Sequence, residues 1–371
     1  MKIALITVHK VTNFGALMQA YASKLILSRF GKVSVIDYKN PFLDKQMHLF
    51  RFKLSVHGFK MLAHDILNFG NRWKYRKKFK DFIRTNYNLT EPYTSKKLQN
   101  QEIALEYDVF VCGSDQIWNP KIINPNSQID PNYFLAFAPP SSCKISFASS
   151  MGNYSFNPQE AEYLRSLLKD FHAISVREKE GRDFLENLFS EKTIHHVLDP
   201  TLLLSKEDWL ETLDTRDPVV NTPYILVYSV PRTALLRKAV TYYSTKFGMK
   251  VVAIDKMLFP MKSVDIHHSK GGPEDFIRLF ANASFVITDS FHGTCFSVNF
   301  EKPFVCIPAT PKANRQEGLL GSLGLMQHIV YEESSFKNIP KTLDYQNAKA
   351  RMQELRKQSL SFLSTALNSI P

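Results

Sequence analysis

The chain has 371 residues, 44% of them hydrophobic and 22% charged, and a formal net charge of +12. That length suits two domains of ordinary size, and the balance is that of a globular protein, which excludes a disordered chain. No apolar run approaches the roughly 18 residues that a membrane-spanning helix needs, and the N-terminus lacks a signal-peptide cleavage site. We therefore expect a cytoplasmic protein.

Strand-like and helix-like segments alternate along the chain, which is typical of a parallel sheet flanked by helices. In the first half the predicted order is strand Lys2–Val8, helix Ala16–Phe30, strand Val33–Asp37, a basic helical insertion, strands Tyr107–Cys112 and Lys144–Ser149, helix Pro158–Asp170, strand Ala173–Val176 and helix Lys179–Leu188. In the second half it is strand Tyr224–Tyr228, helix Ala234–Phe247, strand Lys250–Ile254, helix Pro273–Ala281, strand Phe285–Thr288, helix Gly293–Phe300, strand Pro303–Ile307 and helix Gln346–Leu367.

This order predicts an α/β fold of two Rossmann-like, doubly wound domains, with the active site in the interdomain cleft at the carboxyl ends of the strands. We place the N-terminal domain at residues 1–200 and the C-terminal domain at residues 201–345, with the boundary at Asp199-Pro200. Residues 346–371 are expected to form a helix that braces the two domains.

The positive charge is concentrated in the insertion, which we place in the N-terminal domain at about residues 48–90. Between Arg51 and Arg84 there are ten lysines and arginines against two aspartates, a net charge of +8. Apolar residues recur there at helical spacing: Phe59, Leu62, Ile66, Phe69, Trp73, Phe79, Phe82 and Ile83. One interpretation is a helix with its apolar face on the core and a solvated basic face. The other is a contact with an anionic membrane surface or a polyanionic substrate.

The sequence predicts neither a structural metal nor a cofactor. The adjacent pairs His195–His196 and His267–His268 are poor chelators, because neighbouring side chains on a strand point apart. No cysteine belongs to a CxxC pair, so we expect buried, reduced thiols at all four positions: Cys112, Cys143, Cys295 and Cys306.

A strand, a turn and a helix start follow one another in FVITDSFHGTCFSVNF, which begins at Phe285. We predict that the helix opens at Gly293, so that its first amides and the helix dipole form a seat for phosphate or carboxylate. The hydroxyls of Ser290 and Thr294 would add contacts, and His292 can donate a proton near neutral pH. The alternative is that His292 only caps the turn and that Thr294 packs.

In VCGSDQIWNP, a strand end is followed by polar residues that we expect on one rim of the sheet. Ser114 and Gln116 are candidate contacts to a sugar, and Asp115 is a candidate base. Trp118 supplies a flat apolar face of the kind on which sugar rings stack. The alternative is a polar turn in which Asp115 caps the next segment.

The turn NFGALMQA after the first strand has one glycine and no GxGxxG, so dinucleotide binding is not supported. Asn13 and the amides near Gly15 could still hold a polar ligand. These residues belong to the same predicted sheet rim.

Arg177 closes an apolar strand in ISVREKEG, a position that suits bidentate binding of carboxylate or phosphate. The alternative is an ion pair with Glu178 or Glu180. Arg315, in the glycine- and polar-rich stretch Lys312–Gly321, is a second candidate for binding an anion.

Together these motifs resemble the polysaccharide pyruvyl transferase family. Over about residues 1–325 they occur in order as NFGALMQAYA, GSDQIWNP, SFASSMG, SVREKEG, VLDPTLLL and ITDSFHGTCFSVNFEKPFV. The resemblance implies a GT-B-like fold, with the acceptor on the N-terminal domain and the donor on the C-terminal domain. It also implies transfer of pyruvate from phosphoenolpyruvate to two hydroxyls of a sugar. That sugar would be a hexose such as galactose, in a cell-surface polysaccharide or its lipid-linked precursor, and the product a cyclic ketal.

The resemblance further implies that His292 is the catalytic acid and that Arg177 binds the donor. Asp115 or Asp289 would then serve as the base. Several relatives carry Arg-Leu-His where this chain has Ser290-Phe291-His292. The missing arginine must therefore be replaced from elsewhere, by Arg177 or Arg315.

Three other functions are compatible with parts of the sequence. A GT-B-type glycosyltransferase that uses a nucleotide sugar would share the architecture and the anion seat. A nucleic-acid-binding protein would explain the positive charge, but no nucleic-acid module is present and the charge is local. A catalytically silent member of the family would explain the altered turn.

Overall fold

The structure of the protein is a computed structural model that describes residues 1–48, 59, 62, 65–67, 69–100, 103, 106–215, 217–254, 261–310 and 313–369. It divides into two compact units. Unit 1 contains Met1–Met47, Phe82–Leu203 and Glu354–Pro371. Unit 2 contains His48–Asp81 and Leu204–Gln353.

Unit 1 is built on a seven-stranded parallel sheet in the order β3-β2-β1-β4-β5-β6-β7. The strands in the middle of this sheet are apolar and largely buried, as expected of a parallel sheet covered on both faces. The order changes direction between β1 and β4, which is where open α/β sheets bind ligands. The strands are β1 (Lys2–Ile6), β2 (Lys32–Tyr38), β3 (Leu89–Tyr93), β4 (Val109–Cys112), β5 (Cys143–Ser149), β6 (Ala173–Val176) and β7 (Ile194–His196).

Unit 2 has a five-stranded parallel sheet in the order β10-β9-β8-β11-β12. The order changes direction between β8 and β11, so the loops that follow these two strands lie side by side. The strands are β8 (Tyr224–Tyr228), β9 (Lys250–Ile254), β10 (Ile266–His267), β11 (Phe285–Thr288) and β12 (Phe304–Cys306).

Helices connect the strands of both sheets. The described helices are α1 (Phe14–Leu27), α2 (Pro41–Asp44), α3 (Phe69–Asn86), α4 (Ser95–Gln99), α5 (Pro120–Ile123), α6 (Pro158–Leu168), α7 (Lys179–Leu188), α8 (Lys206–Thr212), α9 (Ala234–Phe247), α10 (Pro273–Asn282), α11 (Phe291–Asn299), α12 (Asn314–Leu323) and α13 (Gln346–Asn368). Each unit has its own hydrophobic core between its sheet and its helices.

The predicted alternation is confirmed, and the differences have local causes. The short edge strand β3 contains Glu91 and Pro92, which disfavour strands, and the sequence therefore missed it. From Asn314 onwards, the glycine- and polar-rich stretch Lys312–Gly321, for which we predicted no helix, forms most of helix α12. The C-terminal helix α13 is present as predicted, with residues 346–353 in unit 2 and the rest in unit 1.

The basic insertion belongs with unit 2 as far as Asp81, and not with the N-terminal domain as we predicted. One contact that joins the insertion to unit 2 is an ion pair: Lys78 Nζ on α3 lies 2.7 Å from Asp275 Oδ2 on α10. The parts of the predicted insertion at residues 49–58, 60, 61, 63, 64 and 68 lie outside the described residues.

The predicted apolar face of the insertion is correct only for its C-terminal half. Phe79, Phe82 and Ile83 are buried. Phe59, Ile66, Phe69 and Trp73, expected on the core as well, are between 46% and 58% exposed. The helical spacing of apolar residues thus identified the helix, but it did not predict that the apolar side chains of its first turns are exposed.

Candidate functional site

The rim of the unit 2 sheet is formed by the turn between β11 and α11. Ser290 caps α11, because its Oγ accepts a hydrogen bond from the Gly293 amide at 3.4 Å. The Thr294 amide donates to the Ser290 carbonyl at 2.9 Å, so the helix begins at Phe291 and not at Gly293 as predicted. His292 therefore lies in the first helical turn, at the positive end of the helix dipole.

Gly293 is needed for close packing, and its contact with the donor stays a prediction. A Cβ atom at this position would lie 2.1 Å from Thr288 Oγ1 and 3.0 Å from Tyr228 Cδ1. Thr288 Oγ1 is held there because it donates to the Tyr228 carbonyl at 2.7 Å. The glycine thus lets the start of α11 lie directly against the ends of β8 and β11.

The predicted donor contacts of Ser290 and Thr294 are also corrected. Thr294 is fully buried, and its Oγ1 donates to the Ser290 carbonyl at 3.1 Å. The Ser290 hydroxyl is the helix cap. Both hydroxyls therefore form hydrogen bonds within the turn and the start of α11. Because the helix begins two residues earlier than predicted, Thr294 lies further inside the helix than expected.

Asp289 anchors a neighbouring loop, whereas the sequence predicted it as a candidate base. Its carboxylate accepts hydrogen bonds from the Ser229 hydroxyl, from the Val230 amide at 2.8 Å and from the Arg232 amide at 3.3 Å. Burial raises the pKa of the Asp289 carboxyl, and these hydrogen bonds only partly offset that rise. The anchored loop follows β8 and brings half-buried Arg232 to the same rim.

Helix α12 places a second arginine at this rim. The Cζ atom of Arg315 lies 5.5 Å from the centroid of the Phe291 ring, within the range of a cation–π contact. The next residue, Gln316, donates from its side chain to the Asp289 carbonyl at 3.3 Å and ties α12 to the end of β11. Lys312, at the start of the predicted stretch, lies outside the described residues.

His292, Arg315 and the start of α11 therefore meet around Phe291. The His292 side chain is largely buried, and its ring centroid lies 5.3 Å from that of Phe291. Sequence reasoning found His292 and Arg315 but missed Arg232. Only the order of the strands, with β8 beside β11, could have identified Arg232.

On the rim of the unit 1 sheet, Asp115 has an unusual backbone. Its φ is 71°, in the left-handed region that disfavours non-glycine residues. Its carbonyl accepts from the Ser150 amide at 3.1 Å and from the Ile117 amide at 2.7 Å, which hold this conformation. The carboxylate remains partly exposed, and its Oδ1 lies 4.0 Å from Nη2 of Arg177. Strained residues of this kind cluster at functional sites.

Arg177 is surrounded by carboxylates, which confirms the ion pair with Glu178. Its Nη1 lies 2.6 Å from Asp199 Oδ2 and its Nε 3.0 Å from Glu178 Oε1. Burial alone lowers the pKa of the Arg177 guanidinium, but the charges of these carboxylates and of Asp115 outweigh that effect and raise it. One cation among these carboxylates leaves a negative cluster, which disfavours an anionic ligand at this position. Binding of the donor by Arg177 stays a prediction.

Two predicted acceptor contacts point into the fold. Trp118 is fully buried, stacks on Phe134 with centroids 5.1 Å apart, and donates to the Tyr133 carbonyl at 3.0 Å. It cannot present a face to a sugar, and that prediction is wrong. Ser114 is also fully buried, and its Oγ donates to Asp199 at 3.1 Å.

The remaining acceptor candidates lie at the rim. Asn13 caps α1, accepting from the Ala16 amide at 3.1 Å, and Gly15 is buried in the first turn of that helix. Gln116 is half-buried and accepts from Asn119 Nδ2 at 2.8 Å. Their contact with a sugar stays a prediction.

Within the described residues, no group of three or more histidine, cysteine, aspartate or glutamate side chains is placed to hold a metal ion. In the same part of the chain no helix is both long and apolar enough to cross a membrane. The four cysteines are free thiols, and Cys112, Cys295 and Cys306 are buried as predicted, whereas Cys143 is only half-buried.

Comparisons with known proteins agree with the motifs and the fold. The family model for polysaccharide pyruvyl transferase matches residues 13–310. The UDP-GlcNAc 2-epimerase from Methanocaldococcus jannaschii has a TM-score of 0.57 at 12% identity, over 96% of this chain and 99% of the other. The UDP-N-acetylglucosamine 2-epimerase from Rickettsia bellii has a TM-score of 0.51 at 14% identity, over 100% and 98%. These likenesses confirm the predicted GT-B-like fold. A search of curated proteins found no match.

Proposed function

The chain belongs to the polysaccharide pyruvyl transferase family, and from that premise we propose that it moves pyruvate from phosphoenolpyruvate onto two hydroxyls of a sugar, forming a cyclic ketal. Membership of the family makes it a transferase. The observation that carries the proposed chemistry is the meeting of His292, Arg315 and the start of α11 around Phe291.

The donor needs a strongly cationic seat, because phosphoenolpyruvate carries a phosphate and a carboxylate. The Arg315 guanidinium lies at the unit 2 rim, and the backbone of Arg232 is tied to the same rim. Guanidinium groups bind phosphate and carboxylate in a bidentate manner. The positive end of the α11 dipole adds a further favourable charge. We assign the phosphate and the carboxylate of the donor to these groups.

His292 is the proposed acid. It delivers a proton to the methylene carbon of phosphoenolpyruvate, which becomes the methyl group and leaves a cation at the central carbon. A first sugar hydroxyl attacks that carbon and loses its proton to a base. A second hydroxyl then displaces the phosphate: the bond between the central carbon and the phosphate oxygen breaks, the departing phosphate takes the proton of that hydroxyl, and the ketal closes.

Asp115 is the proposed base for the attacking hydroxyl. Of the two predicted bases, Asp289 is occupied by hydrogen bonds from its neighbouring loop, whereas the Asp115 carboxylate remains partly exposed. Arg177 is then a positioning residue, whose charge lies 4.0 Å from the Asp115 carboxylate. Asn13 and Gln116 would bind acceptor hydroxyls beside it. We propose a hexose such as galactose as the acceptor, within a polysaccharide or a lipid-linked precursor, and a cytoplasmic reaction.

Deuterium labelling tests the proposal directly. The full chain is incubated in D2O with phosphoenolpyruvate and a panel of galactosides and mannosides, and phosphate release and product mass are measured. We expect phosphate release that depends on the acceptor, and a pyruvyl ketal whose methyl group carries one deuterium from the solvent. Release of UDP from a UDP-sugar, with no phosphate from phosphoenolpyruvate, would establish a glycosyltransferase instead.

A further inference from the structure

Large apolar side chains are exposed together at the start of the basic segment. Five of the eleven exposed large hydrophobic residues among those described lie within residues 59–73, whereas the others are scattered along the chain. Leu67 is 76% exposed and Ile66 58%. Phe59, Phe69 and Trp73 complete the group. Grouped apolar exposure of this kind marks an interaction surface, whereas single exposed residues need no explanation.

Lysines continue this surface along α3. Trp73, Lys77 and Lys80 are spaced by four and three residues, so they lie on one side of the helix, and Lys74 is exposed next to them. Lys78 pairs with Asp275 and Arg72 with Asp65 within the fold. Lys77 pairs with Asp81 one turn along the same helix, at 2.9 Å, and that pair lies at the surface. Lys74, Lys77 and Lys80 are exposed on this side of the helix and supply its positive charge.

We propose that this α3 surface, formed by Ile66, Leu67, Phe69 and Trp73 with Lys74, Lys77 and Lys80, docks on an anionic lipid bilayer. Aliphatic side chains enter the boundary between headgroups and acyl chains, tryptophan prefers that boundary, and lysines attract the phosphates. The inference goes beyond the proposed reaction and does not depend on it.

The charge of the segment argues against self-association through the same surface. In a two-fold symmetric dimer the surface would face its own copy. Each copy would then bring a segment of net charge +8, from Arg51 to Arg84, towards the other. Such like charges repel, whereas an anionic bilayer complements them.

Vesicle sedimentation measures the docking. The full chain is mixed with phosphatidylcholine vesicles, with and without roughly a third phosphatidylglycerol. We expect binding to the anionic vesicles that weakens as salt rises. The triple variant Lys74→Gln, Lys77→Gln, Lys80→Gln should bind roughly 100-fold more weakly, because each lysine near an anionic surface contributes about 5-fold. The pair Ile66→Ser, Leu67→Ser should lose roughly 10-fold or more through the lost apolar burial.

Matched variants elsewhere provide the controls. Lys96→Gln, Lys97→Gln and Lys337→Gln remove the same charge from exposed positions, and Ile122→Ser with Met326→Ser removes comparable exposed apolar side chains. None of them should change binding. All α3 variants should retain phosphoenolpyruvate turnover with a small soluble acceptor, which separates this inference from the proposed function.

Tryptophan fluorescence gives an independent measurement. Trp118 and Trp209 are fully buried, and Trp73 is 46% exposed, so a quencher carried by the lipid reports on Trp73. Brominated phosphatidylcholine in the anionic vesicles should quench the wild type and spare Trp73→Phe. Equal sedimentation with neutral and anionic vesicles, or equal losses in the control variants, would overturn the inference. The inference would also be overturned if the protein did not bind vesicles and instead formed a dimer that Leu67→Ser dissociates.

Discussion

The Arg315 guanidinium lies over the ring of Phe291, with its central carbon 5.5 Å from the ring centroid. Relatives with Arg-Leu-His at this turn carry their arginine at the position that Ser290 occupies here. In this chain Ser290 caps α11 instead, and an aromatic ring stands where those relatives have leucine. We infer that the cation has moved to α12 and that Phe291 is the platform that positions it.

Arg315→Gln should therefore weaken donor binding. We expect the KM for phosphoenolpyruvate to rise roughly 10- to 100-fold, the range of one lost hydrogen bond to a charged group, with a smaller change in kcat. Steady-state kinetics at saturating acceptor measures this. Arg351→Gln, an exposed position on α13, is the matched control and should leave KM unchanged. An unaltered KM in Arg315→Gln would remove Arg315 from the donor seat.

Phe291→Leu restores the side chain of those relatives and tests the platform. We expect a rise in KM of roughly 2- to 5-fold, since a cation–π contact contributes about 0.5–1 kcal/mol even at an exposed site. The double variant with Arg315→Gln should be no worse than Arg315→Gln alone, because both changes remove one interaction. Additive effects in this double-mutant cycle would mean that Phe291 acts separately from Arg315.

His292→Ala should lower kcat by roughly 10²- to 10⁴-fold, the usual contribution of a general acid. The circular dichroism spectrum should stay that of the wild type, with the thermal midpoint lowered by a few degrees because the His292 side chain is largely buried. His172→Ala, an exposed histidine of unit 1, is the control and should retain full turnover. Normal turnover in His292→Ala would exclude His292 as the proton donor.

Two helical glycines should respond in opposite directions to alanine. In a helix this substitution ordinarily stabilises by up to about 1 kcal/mol. Gly318→Ala should do so, because a Cβ there meets no atom within 4 Å. Gly293→Ala should instead destabilise and lower turnover, because its Cβ would lie 2.1 Å from Thr288 Oγ1. Urea unfolding of both variants measures the difference, and a stabilised Gly293→Ala would contradict the packing.

Asp275 should make stability depend on pH. Burial by itself raises the pKa of its carboxyl, but the hydrogen bonds from His268, Lys78 and the Gly272 amide outweigh burial and hold the pKa well below its usual range. A lowered pKa stabilises the fold at pH values above the unfolded pKa of about 3.9, and the gain disappears as the pH falls towards the folded pKa.

Asp275→Asn should therefore lower the free energy of unfolding by about 1–3 kcal/mol at neutral pH. The gap from the wild type should close as the pH falls below about 4. Denaturant unfolding across this range measures it, with exposed Asp217→Asn as the control. A gap that is constant with pH would show that the ion pair with Lys78 contributes little to stability.

Local patterns predicted the elements well and the contacts of the site poorly. Strands such as Phe285–Thr288 and Tyr224–Tyr228 were placed correctly, because their apolar runs are a property of neighbouring residues. The start of α11 was misplaced because Gly293 resembles a helix opening, whereas Ser290 is the cap. Trp118 looked like a sugar platform because sequence does not tell which aromatic residues are covered.

By itself, the sequence determined the α/β class, the order of the elements, the family motifs and the position of His292, since each of these is encoded within a short stretch of residues. Only the tertiary structure decided which distant side chains meet. Strand order brings the backbone amide of Arg232, 57 residues away in the chain, to the Asp289 carboxylate. Helix packing lays Arg315 over Phe291, and the fold closes three carboxylates around Arg177. Such pairings depend on the burial of whole elements against one another, and no local periodicity encodes them.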